Sequence, residues 1–137
     1  MITEKIIYTE GRKYQLRRSY HMRLPEDFAG FVITHASGIL DDGNLTIYEG
    51  YAWNGPSGPT FDTPDFMRGP LVHDFIYDLI QGGYLNEDPF REFADRLLRQ
   101  ICIEDGMPIF RANYVYFAVK EFGSAALAQK EVLFEAP

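Results

Sequence analysis

The sequence predicts an α+β fold: a small N-terminal antiparallel sheet followed by three helices, in one domain of 137 residues. Two observations predict it. Up to residue 52, short apolar runs alternate with turn residues, as in strands that bury one face. From residue 66 onward apolar residues recur every three or four positions, the period of helices with a buried stripe. A glycine- and proline-bearing loop over 53–65 separates the two patterns, and a C-terminal arm over 124–137 follows the helical part.

Residues 5–9, 13–24, 31–35, 38–40 and 45–48 read as strands, rich in Ile, Tyr, Leu and Thr. In the second of them Tyr14, Leu16, Tyr20 and Met22 are the apolar positions. Asp41-Asp42-Gly43-Asn44 lies between two apolar runs and predicts a hairpin turn, because Gly and Asn tolerate positive φ. Pro25 and Gly30 bracket a loop between the second and third strands.

Pro70 suits the first turn of a helix, and Val72, Phe75, Ile76, Leu79 and Ile80 then recur at helical spacing until Gly82-Gly83 stops it. A second helix is expected from Asp88-Pro89, with Asp88 as its cap and Phe90, Phe93, Ala94, Leu97, Leu98 and Ile101 as its buried stripe. Gly106 and Pro108 end it. A third is expected over 109–122 with Phe110, Tyr114, Phe117 and Ala118 inward, and from Ser124 the tail is an alanine-rich helix or arm. The loop over 54–62 is expected to lie over the N-terminal half of the first helix.

Hydrophobic residues make up 46% of the chain and aromatics 15%, so it has the apolar content to fold. A net charge of −7 with interspersed signs argues against nucleic acid as a partner, since that affinity comes from clustered Lys and Arg. The short run Arg12-Lys13 and Arg17-Arg18 reads as a solvated strand face. The one cysteine, Cys102, falls among Leu98, Ile101 and Ile103 and reads as a small core residue, which suits a reducing cytoplasm. The start MITEKIIYTE lacks the pattern of a signal peptide, and no run approaches the ~20 apolar residues of a membrane span. The expectation is a protein that is not integral to a membrane.

The chemistry concentrates on the first two helices. His73 and Tyr77 are four apart and share a face, while Asp74 is turned by ~100°. The short link before the second helix makes the pair antiparallel. At ~1.5 Å per residue, His73 lies ~12 Å before the end of its helix and Asp95 ~9 Å after the start of the next, so the two side chains can meet. A carboxylate on one imidazole nitrogen fixes the tautomer and leaves the other free to take a proton from water, a general-base dyad. The same pair could serve only to tie two helices together. Asp74 could ligate a hard cation with carbonyls of the loop at Trp53, Gly55 and Ser57, a Ca²⁺-type oxygen set. A metal-dependent phosphohydrolase could use His35, His73-Asp74 and Asp95, although His35 sits in a strand-like segment; zinc on Cys102 and histidines lacks a recognised spacing. Trp53 and the other aromatics serve a core or a protein interface.

Val72-His73-Asp74-Phe75-Ile76-Tyr77 resembles the H-D-x-x-Y helix of phospholipases A2, and Ala94-Asp95-Arg96 resembles the second-helix aspartate of their short bacterial and parvovirus-type forms. Tyr51, Gly55-Pro56-Ser57-Gly58 and Asp62 are loosely similar to their calcium loop, although the glycines do not match one for one and the disulfides of the secreted enzymes are absent. That resemblance implies a phospholipase-A2-like helix pair, His73 as general base, Asp95 as its orienting partner, Tyr77 as a supporting hydroxyl, Asp74 as a Ca²⁺ ligand and a lipid or acyl ester as substrate. From Tyr48 onward the chain is also similar to a family of small proteins, a domain of unknown function, encoded by tailed bacteriophages and prophages. The residues that carry it are the run from Tyr51 to Pro59, then Met67-Arg68, Leu71-Val72-His73-Asp74, Ala94-Asp95 and the run from Ala118 to Gly123. This second resemblance implies the host bacterial cytoplasm or the virion as location, and a phage or host protein as partner where the chain is not catalytic.

Overall fold

The α+β architecture is present, with antiparallel strands preceding three helices. The computed structural model describes residues 14–53 and 63–135 together with Ile6, Tyr8 and Thr9. The chain divides into two compact units, Met1–Ser57 and Gly58–Pro137. The predicted loop over 54–62, and with it any cover over the first helix, lies outside the described residues.

Among the described residues of the first unit the strands form two small antiparallel sheets. One has the order β1-β2-β7, from β1 (Tyr8–Thr9), β2 (Tyr14–Leu16) and β7 (Ala52–Trp53), with Tyr14 opposite Trp53. The other has the order β3-β6-β5-β4, from β3 (Tyr20–Arg23), β4 (Val32–His35), β5 (Gly38–Asp41) and β6 (Asn44–Ile47). The strand expected over 13–24 is therefore two strands in different sheets. Tyr14, Leu16, Tyr20 and Met22 are all buried, and an unbroken strand with their alternation would carry Arg18 to the buried face; the chain bends at Arg17 and Arg18 instead, leaving both exposed. The hairpin forms at the expected turn, with Asp42 at φ 47° and Gly43 at φ 86°. Asp42 is held on both sides: its carbonyl accepts from Arg23 Nη1 at 2.7 Å, and its Oδ1 accepts from the Gly30 amide at 2.8 Å.

The second unit is helical: α1 (Arg68–Gln81), α2 (Glu87–Glu104) and α3 (Ile109–Glu135). The predicted stripe of α1 is buried, but so are Leu71, His73 and Tyr77, and only the strip Asp74, Asp78, Gln81 is partly open. Both α1 and α2 end as their glycines predict. Gly83 at φ 79° lets Tyr84 donate to Leu79 O, and Gly106 at φ 103° lets Met107 donate to Cys102 O, which returns the chain sharply and satisfies last-turn carbonyls. Asp88 is extended, so regular helix in α2 begins at Pro89. The α1–α2 pair is antiparallel, as its contacts require: Arg68 reaches Glu104 and Asp105 at one end, while Tyr77 reaches Asp95 farther along. Arg68 is buried and donates from both Nε and Nη2 to the Asp105 carboxylate at 2.9–3.2 Å, a forked ion pair that fixes the start of α1 on the end of α2.

The third helix corrects an expectation. Phe110, Tyr114 and Phe117 face outward, Phe110 78% and Phe117 63% exposed, and Ala118 is half-buried. The buried face carries Ala112, Val115 and Gly123, and the core it joins holds Phe66, Leu98, Cys102 and Met107. Apolar residues occupy two opposite faces of α3, and the face with small side chains is the one packed on α2. The helix also continues unbroken past Gly123, so that of the helix or arm expected from Ser124 it is the helix that forms, as part of α3. Among the described residues no helix is long and apolar enough to cross a membrane.

Candidate functional site

The dyad is assembled by the antiparallel α1–α2 pair. His73 and Tyr77, one turn apart on α1, both meet Asp95 on α2: His73 Nε2 lies 2.7 Å from Asp95 Oδ1, and the Tyr77 hydroxyl donates to the same oxygen at 2.7 Å. The two rings lie against one another, centroids 4.1 Å apart and tilted by 38°. Asp95 is 0% exposed and His73 7%. Among the described residues Asp95 Oδ2 has no hydrogen-bond partner, so the whole polar load of this carboxylate falls on one oxygen.

Burial and charge then set the proton affinities. Burial by itself lowers the His73 pKa and is the largest single influence, but hydrogen bonding and attraction from Asp74 and Asp95 outweigh it, and the imidazole is held above its ordinary value. Tyr77 is raised well above its ordinary range, first by burial and then by Asp95, with Arg91 only partly opposing; it is a hydrogen-bond donor and not an acid. Asp74 Oδ1 stands 3.9 Å from His73 Nδ1, on the partly open strip of α1. The nitrogen that does not face Asp95 therefore faces the more accessible carboxylate.

Comparison of the chain with protein-family models, curated proteins and solved structures returns no match. The site is thus read from its own geometry.

The other residues singled out in the sequence are placed as follows. Trp53 ends β7 in the first unit, buried, its ring 5.6 Å from Tyr14. Gly55 and Ser57 lie outside the described residues. Among the described residues no group of three His, Cys, Asp or Glu side chains is suited to a metal, and Asp74 alone does not make a calcium site, which takes six to eight oxygens. His35 lies in β4, where its Nδ1 accepts from the Ser37 amide at 3.0 Å. Cys102 is a core residue, and burial, ahead of Asp105 and Asp65, pushes its thiol up to about 12.

Two residues that the sequence reading passed over touch the site. Arg91, on α2 one turn before Asp95, lies beside the Tyr77 hydroxyl, and Gly123 of α3 closes over the same oxygen. The four-residue spacing of Arg91 and Asp95 was a usable signal for the first. Nothing local marks Gly123.

Proposed function

We propose that this chain is a phage-encoded, phospholipase-A2-like hydrolase acting on an acyl ester, with His73 as general base. The observation that carries this reading is which nitrogen meets Asp95. With Nε2–H donated to Asp95 Oδ1, the Nδ1 lone pair is left on the partly open Asp74 side. Nδ1 takes a proton from a water as that water's oxygen bonds to the ester carbonyl carbon, and the buried Asp95 stabilises the resulting imidazolium. When the carbon–oxygen bond to the leaving alcohol breaks, the imidazolium returns the proton to it. Tyr77 holds Asp95 in register throughout. A calcium ion held in part by Asp74 would polarise the ester carbonyl; no step above depends on it.

A second reading is favoured by the near-complete burial of His73 and Asp95. In it the dyad only ties α1 to α2, and the chain is a non-catalytic virion or host-interaction protein whose exposed Phe110, Tyr114 and Phe117 present the contact face. The experiment that separates the two is His73→Gln assayed on phospholipids and simple acyl esters. A hydrolase turns over at least one of them as wild type and loses essentially all turnover in the variant, which stays folded. No wild-type turnover on the whole panel, with a destabilised variant, leaves the second reading.

A further inference from the structure

The third helix reaches the dyad through a residue with no side chain. A Cβ built on Gly123 would stand 2.5 Å from the Tyr77 hydroxyl oxygen and 3.1 Å from Arg91 Nη1, and the first separation is closer than such atoms approach. Arg91 can give way at its flexible end. Tyr77 cannot, because its ring is buried against His73 and its hydroxyl is bonded to Asp95. Arg91 in turn donates from Nη1 to the carbonyl of Lys120 at 3.1 Å, which fixes α3 to α2 one turn before Gly123.

We propose that Gly123 and Arg91 are positioning residues for His73, seating α3 so that the Tyr77 hydroxyl has no place to go but Asp95 Oδ1. Among the described residues the charged and titratable groups around His73 are then Asp74 and Tyr77 from α1 and Asp95 from α2, with Arg91 of α2 acting through Tyr77, and α3 brings Gly123. A hydroxyl donating to Oδ1 shares that oxygen with His73 Nε2, so its displacement should strengthen the hydrogen bond that His73 donates there. The catalytic meaning of this arrangement rests on the general-base reading, but its test does not need turnover.

The test is a double-mutant cycle of Gly123→Ala and Tyr77→Phe, read at one fixed pH by the NMR shift of the His73 Nε2 proton in its hydrogen bond to Asp95 and by Tm. His73→Gln assigns the ring signal among the three histidines. Gly123→Ala alone should move the His73 Nε2 proton signal downfield and lower Tm. In the Tyr77→Phe background the colliding oxygen is gone, and the same substitution should leave the signal in place and raise Tm slightly, since Ala is a better helix former than Gly. Folding of the double variant where Gly123→Ala alone fails to fold is the same result in stronger form. An unmoved signal in Gly123→Ala, equal effects in both backgrounds, or failure of both to fold overturns the assignment of Gly123. Arg91→Lys, which keeps a cation and a donor for the Lys120 carbonyl, should hold the wild-type signal while Arg91→Met shifts it; equal signals overturn the assignment of Arg91. Coupling without ester turnover would retain the positioning geometry and discard the hydrolase, whereas turnover without coupling would do the reverse.

Discussion

His73 Nε2 and Asp95 Oδ1 stand 2.7 Å apart across the α1–α2 interface, at a carboxylate with no exposed surface. An imidazole so placed gains a proton more readily than one in water. Its pKa is raised in the folded chain, so its contribution to stability is fully present below the unfolded value of about 6.5 and is lost as pH rises through the folded value. Tm should fall across that window in wild type and lose that component in His73→Gln. A general base needs the neutral imidazole, so hydrolysis should rise over the same window. Stability and activity moving in the same direction there would contradict the assignment.

Asp95→Asn keeps the shape of the side chain and removes its charge. The amide can present its NH2 to Nε2, which reverses the preferred imidazole tautomer and puts the proton on Nδ1. Turnover should drop by orders of magnitude, while stability falls by about 1–3 kcal/mol for a buried hydrogen-bond network left imperfectly paired. Kinetics on the best ester substrate, alongside denaturant melts, check both.

Calcium is tested on the folded chain directly. If Asp74 takes part in a cation site, millimolar Ca²⁺ raises Tm, and Asp74→Asn abolishes the rise, because a ligand bound only by the folded state stabilises it. A flat calcium titration of wild type removes the metal from the mechanism and leaves the His73–Asp95 geometry as it is.

Arg68 locks the helix pair at the end opposite the link. Arg68→Met keeps much of the buried stem and removes the fork on Asp105 and Glu104. About 2 kcal/mol of stability should be lost, since charge-assisted hydrogen bonds are each worth about 1.5–3 kcal/mol and both carboxylates can recover some solvation. A chemical-denaturation midpoint unchanged from wild type would show that the fork contributes nothing.

The outward face of α3 gives a prediction of little effect. Phe117→Ser should change stability by no more than about 0.5 kcal/mol, whereas Val115→Ser, in the core on the opposite face, should cost several times more. Equal losses from the two in a thermal melt would mean that the stripe is covered.

Much of this could be read from neighbours along the chain. The hairpin at Asp42-Gly43, the helix stops at Gly83 and Gly106, the shared face of His73 and Tyr77 and the level of Asp95 on the next helix all follow from turn chemistry, a period of 3.6 and a short link. Those are short-range constraints, and they determined the α+β class and the pairing of His73 with Asp95. Tertiary structure decided the rest. With apolar residues on two faces of α3, periodicity could not choose between Phe110 with Phe117 and Ala112 with Val115; the choice went to the face whose small side chains pack against Leu98 and Cys102. The break at Arg18 followed from what a continuous strand would have buried. Which imidazole nitrogen meets Asp95, and the closure of Gly123 over Tyr77, depend on helix rotation and on how closely segments far apart in the chain approach one another.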